Sequence, residues 1–455
     1  MRIVIVGGGV VGSSLAEHLL KEKHQLSVIE LNADLCESIA QKLDVQIIQG
    51  SGSSPEMLRR AGIDEADMVL AVTPIDEVNM VVCALASQYE VKRRIARLRS
   101  PEFISAQSIV DLGRLGITSV IHPEQVIVDQ VMQYVETPHA IDAANFEEGR
   151  ILLRGYRLRD NMKLAGKTPM EVRQEISPSV VLFAAISRGG KGMIPTGNTR
   201  FEPGDIVYTL FPRESLDVFL DLVGIERKKN RKILVSGDSF AFEQMGWALS
   251  RAEHHSTLIT PNYSLAETIA GRYDKISVIH GDCTNADLLR ELNVNSASFF
   301  ISVSDSSDYN ILSTLLAKAE GAHEVVATST ETRHDRLFNS IGIDHVINPR
   351  LTAARAILDI IARGHIGAVV ELSNIDIEAA RYIVEPESEI AGQKVKRIAR
   401  QFKAGAIIGI IVRDERIVLP DGETEIQTGD HIIVITHHRH LPTFAKLFKP
   451  RGLFG

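Results

Sequence analysis

The 455-residue chain carries one pattern twice, and that duplication restricts its fold more than any other feature. Gly7 of "RIVIVGGGVVGSS" is answered by Gly237 of "KILVSGDSFAFEQ", 230 residues later. Gly50 in "IIQGSGSSPEMLRRAGI" and Gly281 in "VIHGDCTNADLLRELNV" stand 231 apart, as do Asn79 and Asn310. Pro123 and Pro349, like Gly166 and Gly392, are 226 apart, and "FEPGDIVYTL" precedes "IQTGDHIIVI" by 225. Ordered matches at a slowly shrinking offset describe a duplication with a few loop deletions.

Each copy has two parts. Residues 1–123 and 230–350 alternate short apolar runs with helix-like stretches, as in "RIVIVG", "QLSVIE", "VQIIQG" and "MVLAVT". That alternation predicts α/β domains, two Rossmann-like doubly wound parallel sheets. Residues 143–226 and 367–450 break their apolar runs with turn signals such as Gly189-Gly190 and Pro203-Gly204. They predict small modules rich in strands and hairpins. The charged stretch "ERKKNRK", from Glu226 to Lys232, reads as a linker between the copies.

A net charge of -8 argues against a general nucleic-acid binder, which would show a basic face. Three scattered cysteines, Cys36, Cys83 and Cys283, form no Cys-x-x-Cys pair, which fits a reducing compartment. No apolar run approaches the roughly 18 residues of a membrane span. The chain enters a strand at once, so no signal peptide is expected and a cytoplasmic location is.

The first glycine turn follows a strand, opens a helix, and has Glu30 at the end of the second strand, as a dinucleotide fingerprint requires. Gly7 permits the tight turn, Gly9 lets the backbone approach a pyrophosphate, and Gly12 allows close helix packing. The helix N-terminus offers free N–H groups to phosphate. Glu30 suits ribose hydroxyls and repels a 2′-phosphate, which favours NAD(H) over NADP(H). In the second copy Ser239, Phe242 and Thr260 stand where Gly9, Gly12 and Glu30 do, and Asp238 adds a negative charge. That copy is expected to persist as scaffold, with Asp238 as a helix cap and without a strong dinucleotide site.

No catalytic constellation accompanies the turn. There is no Tyr-x-x-x-Lys dyad, Gly-x-Ser-x-Gly elbow or His-Glu-x-x-His pair. "AGKT" at 165–168 lacks a P-loop's first glycine, since Asn161 stands there, and "HHRH" at 437–440 has no standard metal-ligand spacing. A sensor is favoured over an enzyme, with no catalytic and no metal residues assigned.

The segments "GGGVVGSSLAEHL", "QGSGSSPEMLRRAGIDEADMVLAVTPIDEVNMV", "IARLRSPEF", "PEQVIVDQVMQYVETPHA", "AGAIIGIIVRDERIVLPDGETEIQTGDHIIVI" and the terminal "LFKP" resemble the TrkA family of Trk-type potassium-uptake regulators. The resemblance covers essentially the whole chain. It implies two RCK (KTN) nucleotide-binding domains, each followed by a small α+β RCK C-terminal domain. It implies a peripheral cytoplasmic subunit assembled as a homo-oligomeric ring, a tetramer, beneath an integral membrane potassium transporter. It also implies NAD(H) as ligand, with ATP or ADP sharing the pocket. Carried over by position, the cofactor-binding residues are Gly7, Gly8, Gly9, Val10, Val11, Gly12, Glu30, Thr73, Pro74 and Arg97. Second-copy candidates are Gly237 to Ala241, Asn262 and Ser304, and Ser51 replaces a residue that is often more polar or acidic. An NAD-dependent oxidoreductase, or the ligand-gating subunit of another cation channel, are the alternatives.

Overall fold

The computed structural model describes residues 1–21, 23–104, 109–176, 181–226, 230–330, 338, 341–362, 366–372, 375–402 and 405–448. Within the expected linker, residues 227–229 lie outside these, as do 449 and 450 of the terminal segment.

Among the described residues, four sheets follow along the chain. Strands β1 (Arg2–Val6), β2 (Gln25–Glu30), β3 (Gln46–Gln49), β4 (Met68–Ala71), β5 (Arg93–Arg97) and β6 (Ser119–Ile121) form the first. Then come β7 (Asp142–Phe146), β8 (Ile151–Arg157), β9 (Leu182–Arg188), β10 (Lys191–Met193) and β11 (Ile206–Pro212). The third holds β12 (Lys232–Gly237), β13 (His255–Thr260), β14 (Ser277–His280), β15 (Phe299–Val303), β16 (Glu324–Thr328) and β17 (His345–Ile347). Strands β18 (Ile366–Glu371), β19 (Ile377–Ile383), β20 (Ala406–Arg413), β21 (Arg416–Val418) and β22 (His431–His437) complete the set.

The six-stranded sheets run β3-β2-β1-β4-β5-β6 and β14-β13-β12-β15-β16-β17, the Rossmann order, and every pairing is parallel. Helices cover both faces, so the central strands read as unbroken apolar runs. Ile3 to Val6 and Met68 to Ala71 are all buried. The five-stranded sheets run β10-β9-β11-β8-β7 and β18-β19-β22-β20-β21, the same order read in opposite directions, and all their pairings are antiparallel. With their helices they are α+β modules.

Contacts divide the molecule across the duplication. One unit is Met1–Asp129 with Asn230–Ile360, and the other is Gln130–Lys229 with Ile361–Gly455. The first therefore contains both Rossmann sheets and the second both antiparallel ones. In the second unit the two sheets share a core through alternate residues. On β11, Ile206, Tyr208 and Leu210 enter that shared core, while Val207 and Phe211 face the module's own helices. On β22, Ile433 and Ile435 face the shared core, while Ile432 and Val434 face their own helices.

The repeated Gly-Asp pair has a structural purpose. Gly204 and Gly429 hold φ of 91° and 87°, where glycine costs least. The buried Asp205 then receives Nε and Nη2 of Arg188, both at 2.8 Å, and Asp430 receives the same atoms of Arg413, both at 2.7 Å. Each is a two-point charge-assisted contact that ties a turn to the neighbouring hairpin.

Candidate nucleotide-binding site

The first glycine turn is held from three directions. Gly7 has φ of 104°, and a Cβ there would come within 2.9 Å of the Thr73 nitrogen, so the loop after β4 presses directly on the turn. Gly8 donates its N–H to Glu30 Oε2 at 2.6 Å, while Glu30 Oε1 accepts from the Asn32 N–H at 2.8 Å. Gly12 lies in the helix Val10–Lys21, where a Cβ would stand 1.8 Å from the Gly7 carbonyl oxygen. Gly9 is different, because a Cβ there would meet no atom within 4 Å. Its lack of a side chain is not demanded by the protein's own packing and leaves the backbone bare to the adjoining space. That is the cradle a pyrophosphate needs. Glu30, although tied to two N–H groups, keeps further acceptor capacity for ribose hydroxyls, since a carboxylate offers about four lone-pair sites.

At the end of β4 the buried Asn79 organises the next loop. Its Oδ1 accepts from Thr73 N at 3.0 Å and from Thr73 Oγ1 at 2.7 Å, and its amide nitrogen donates to the carbonyls of Thr73 and Arg97 at 2.9 and 2.8 Å. One side chain thus locks the tips of β4 and β5 together. Asn310 repeats this in the second copy, bonding Ser304 N, Ser304 O and Thr328 O at 2.8, 2.8 and 2.9 Å. Arg97, Arg99, Asp76 and Glu124 cluster beyond. Arg99 donates Nε to Glu124 Oε1 at 2.7 Å, and the N–H groups of Arg99 and Ser100 reach Asp76 Oδ2, each at 2.8 Å. Arg97 Nη2 is 3.8 Å from Glu124 Oε1. Burial pulls the Arg97 guanidinium below its usual range, against the opposing pull of Glu124.

These elements line a cavity of about 540 Å³. Of the expected site residues, Gly7, Gly9, Val10, Val11, Glu30, Thr73, Pro74 and Arg97 are on its wall, as is Ser51. Gly8 and Gly12 stand behind it, one held by Glu30 and the other packed on Gly7. Arg99 and Glu124 also line it and were missed. The available signal was an acidic residue directly after the strand-ending "VIHP".

The opposite wall comes from the second copy. Ser239, Phe240, Ala241, Ser304, Ser307 and Ser329 all face the same cavity. Of the second-copy candidates, Gly237 sits behind the wall, where a Cβ would clash with the Val303 carbonyl at 2.1 Å, and Asn262 caps the helix Tyr263–Ala270 instead. Asp238 is exposed and is not the helix cap. That role belongs to Ser239, which accepts from Phe242 N at 3.3 Å and donates to the Val303 carbonyl at 2.8 Å. Phe242, in Gly12's place, is fully buried. Tyr309, aligned with the cavity-lining Val78, turns its hydroxyl inward, 2.8 Å from Ser236 Oγ and 3.3 Å from Cys283 N.

Comparison with known proteins agrees with this architecture. The TrkA-N domain model matches residues 3–123 and again 244–349, and the TrkA-C domain model matches 379–449. The chain belongs to the TrkA family. It is similar over its whole length to the Trk system potassium uptake protein TrkA of Halomonas elongata, at 29% identity covering 99% of each chain. The protein of that name from Haemophilus influenzae is 28% identical and covered completely on both sides. Among solved structures, the GsuK channel bound to NAD superposes with a TM-score of 0.61 at 18% identity, covering 98% of this chain and 78% of that one. The TrkA family's tandem RCK fold is the fold of this chain. Among the described residues, no helix is long and apolar enough to cross a membrane.

Proposed function

We propose that this chain is the regulatory subunit of a Trk-type potassium uptake system, binding NAD(H) in the cavity between its two Rossmann domains and gating an integral membrane potassium transporter. The observation that carries this reading is the shared cavity. Its glycine turn and Glu30 belong to one copy and its opposite wall to the other, so a ligand bound there favours one arrangement of the two domains over others. A ligand shifts an equilibrium only through unequal affinity for its states, and coupling of ~1–3 kcal/mol is the usual allosteric range. A homo-oligomeric ring, a tetramer, at the inner face of the membrane would deliver that shift to the transporter. The protein is then cytoplasmic and peripheral, and it consumes no nucleotide.

NAD(H) suits the cavity better than ATP, with ADP between them. Among the described residues, the cations on its wall are Arg97 and Arg99, set against Glu30, Glu124 and Asp305. Two guanidiniums against three carboxylates leave no surplus positive charge, so each further phosphate charge disfavours a ligand, least for the dinucleotide and most for the triphosphate.

The test is potassium uptake and growth at low potassium in cells whose only copy carries Gly9→Ala. We expect purified wild-type protein to bind NADH without oxidising it, and the variant to bind it more weakly and to lose control of uptake. Unchanged uptake in a deletion strain, or steady NADH turnover by the purified protein, would overturn the proposal.

A further inference from the structure

Resting on that nucleotide reading, we propose that Glu124 and Arg97 form a recognition pair for a neutral carboxamide, which makes the site selective for the nicotinamide end of the dinucleotide. Glu124 is 5% exposed. Its Oε1 is taken by Arg99, but its Oε2 is buried without a protein partner. Arg97 Nε is likewise buried and unpartnered. Both residues line the cavity. A buried donor or acceptor left unmade is costly, so this wall is built to be completed by something that enters.

Place in the sheet says which end of the ligand enters. Glu30 ends β2, on one side of β1, and the ribose it suits belongs to the adenine half. Arg97 ends β5, and Glu124 follows β6, beyond β4 on the other side of β1. A Rossmann sheet binds one mononucleotide on each side of that crossover point. The wall that carries Arg97 and Glu124 therefore borders the second mononucleotide, whose base is the nicotinamide.

The chemistry narrows the group further. Arg97 Nη2 lies 3.8 Å from Glu124 Oε1, so the unpartnered acceptor and the unpartnered donor belong to neighbouring side chains, which matches a carboxamide with its N–H donors and C=O acceptor on one plane. A carboxylate would satisfy Arg97 and oppose Glu124. A methyl ketone would satisfy Arg97 and leave Glu124 Oε2 unmade. A site built to hydrogen-bond a group discriminates strongly against analogues lacking it.

Calorimetric titration of the full chain, in the presence of a chelator, with NAD, ADP-ribose, nicotinic acid adenine dinucleotide and 3-acetylpyridine adenine dinucleotide tests this. NAD is expected to bind about tenfold or more tighter than each of the others. The carboxylate analogue should bind worst. In Glu124→Gln that penalty should shrink by about tenfold, because a glutamine amide can donate to a carboxylate, while ADP-ribose affinity stays unchanged. The analogue series on the wild type decides the matter even where the variant folds poorly. Equal binding of NAD and ADP-ribose would overturn the carboxamide pair and leave the nucleotide site standing, whereas failure of both to bind would sink the site itself. Should the chelator weaken NAD binding to the wild type but not to Glu124→Gln, the carboxylate holds a cation and the proposal is wrong.

Discussion

At Gly9 an added methyl group would meet nothing within 4 Å, while at Gly12 it would lie 1.8 Å from a backbone oxygen. The two glycines of one fingerprint are thus required by different things, one by the ligand and the other by the fold. Gly9→Ala should leave thermal stability within about 0.5 kcal/mol of wild type and still weaken NADH binding about tenfold or more, since the methyl occupies the pyrophosphate's approach. Gly12→Ala should instead lower the melting temperature, because the helix must move off the turn. Paired melts and titrations separate the two, and equal destabilisation by both would contradict the geometry. Glu30→Gln keeps an acceptor and removes the charge, so NADPH affinity should rise relative to NADH in the same titrations.

The strand tips are the elements that set the cavity's floor, and each copy locks them with one buried asparagine. Truncating Asn79 or Asn310 to alanine strands several backbone groups in the interior. Each change should cost about 2–3 kcal/mol in denaturant unfolding. Asn79→Ala should also impair nucleotide binding, since Thr73 and Arg97 hang from that amide. A loss below about 0.5 kcal/mol for either variant would show that the clamp is dispensable. Hairpins show how one element can be built from different letters. The β9–β10 turn uses Gly189 and Gly190, with φ of 58° and 79°, whereas β20–β21 uses Asp414 and Glu415 at 44° and 65°. Both turns place two residues in the left-handed region, yet only the first uses glycine, which adopts it without strain.

At the scale of the whole molecule, the duplicated halves are tied together copy to copy rather than end to end. In the second unit Glu147, from the turn after β7, receives Arg381 Nη1 of β19 at 2.9 Å and lies 3.0 Å from His431 Nδ1 of β22. Burial pushes the Glu147 carboxyl up, but the hydrogen bonds from Arg381 and His431 outweigh it and hold it below the ordinary range. A carboxyl lowered on folding stabilises the fold above its unfolded pKa of about 4.3, and that contribution is lost as pH falls through the folded value. Wild type should therefore lose stability more steeply than Glu147→Gln when acidified below about pH 4.3, and at neutral pH the variant should be the less stable of the two. Parallel acid dependence of the two melting curves would show that this tie contributes nothing.

Much of this was legible in the residues alone. Periodicity, glycine placement and the near-constant offset determined two parallel-sheet domains and two smaller modules, because burial on both faces forces unbroken apolar strands and tight turns force glycine. The repeated Gly-Asp pair and the paired Asn79 and Asn310 were visible as matches, but their purposes were not, since a bidentate Arg–Asp contact and a strand-tip clamp join residues 17 to 18 apart with others between. Tertiary structure decided the rest. It sorted the four domains by type instead of by copy, and it turned the altered second glycine turn into the far wall of the first copy's cavity. It also left Glu124 Oε2 and Arg97 Nε buried and unanswered on neighbouring side chains. Periodicity reports which face of an element is covered, and it carries no record of which distant surface does the covering.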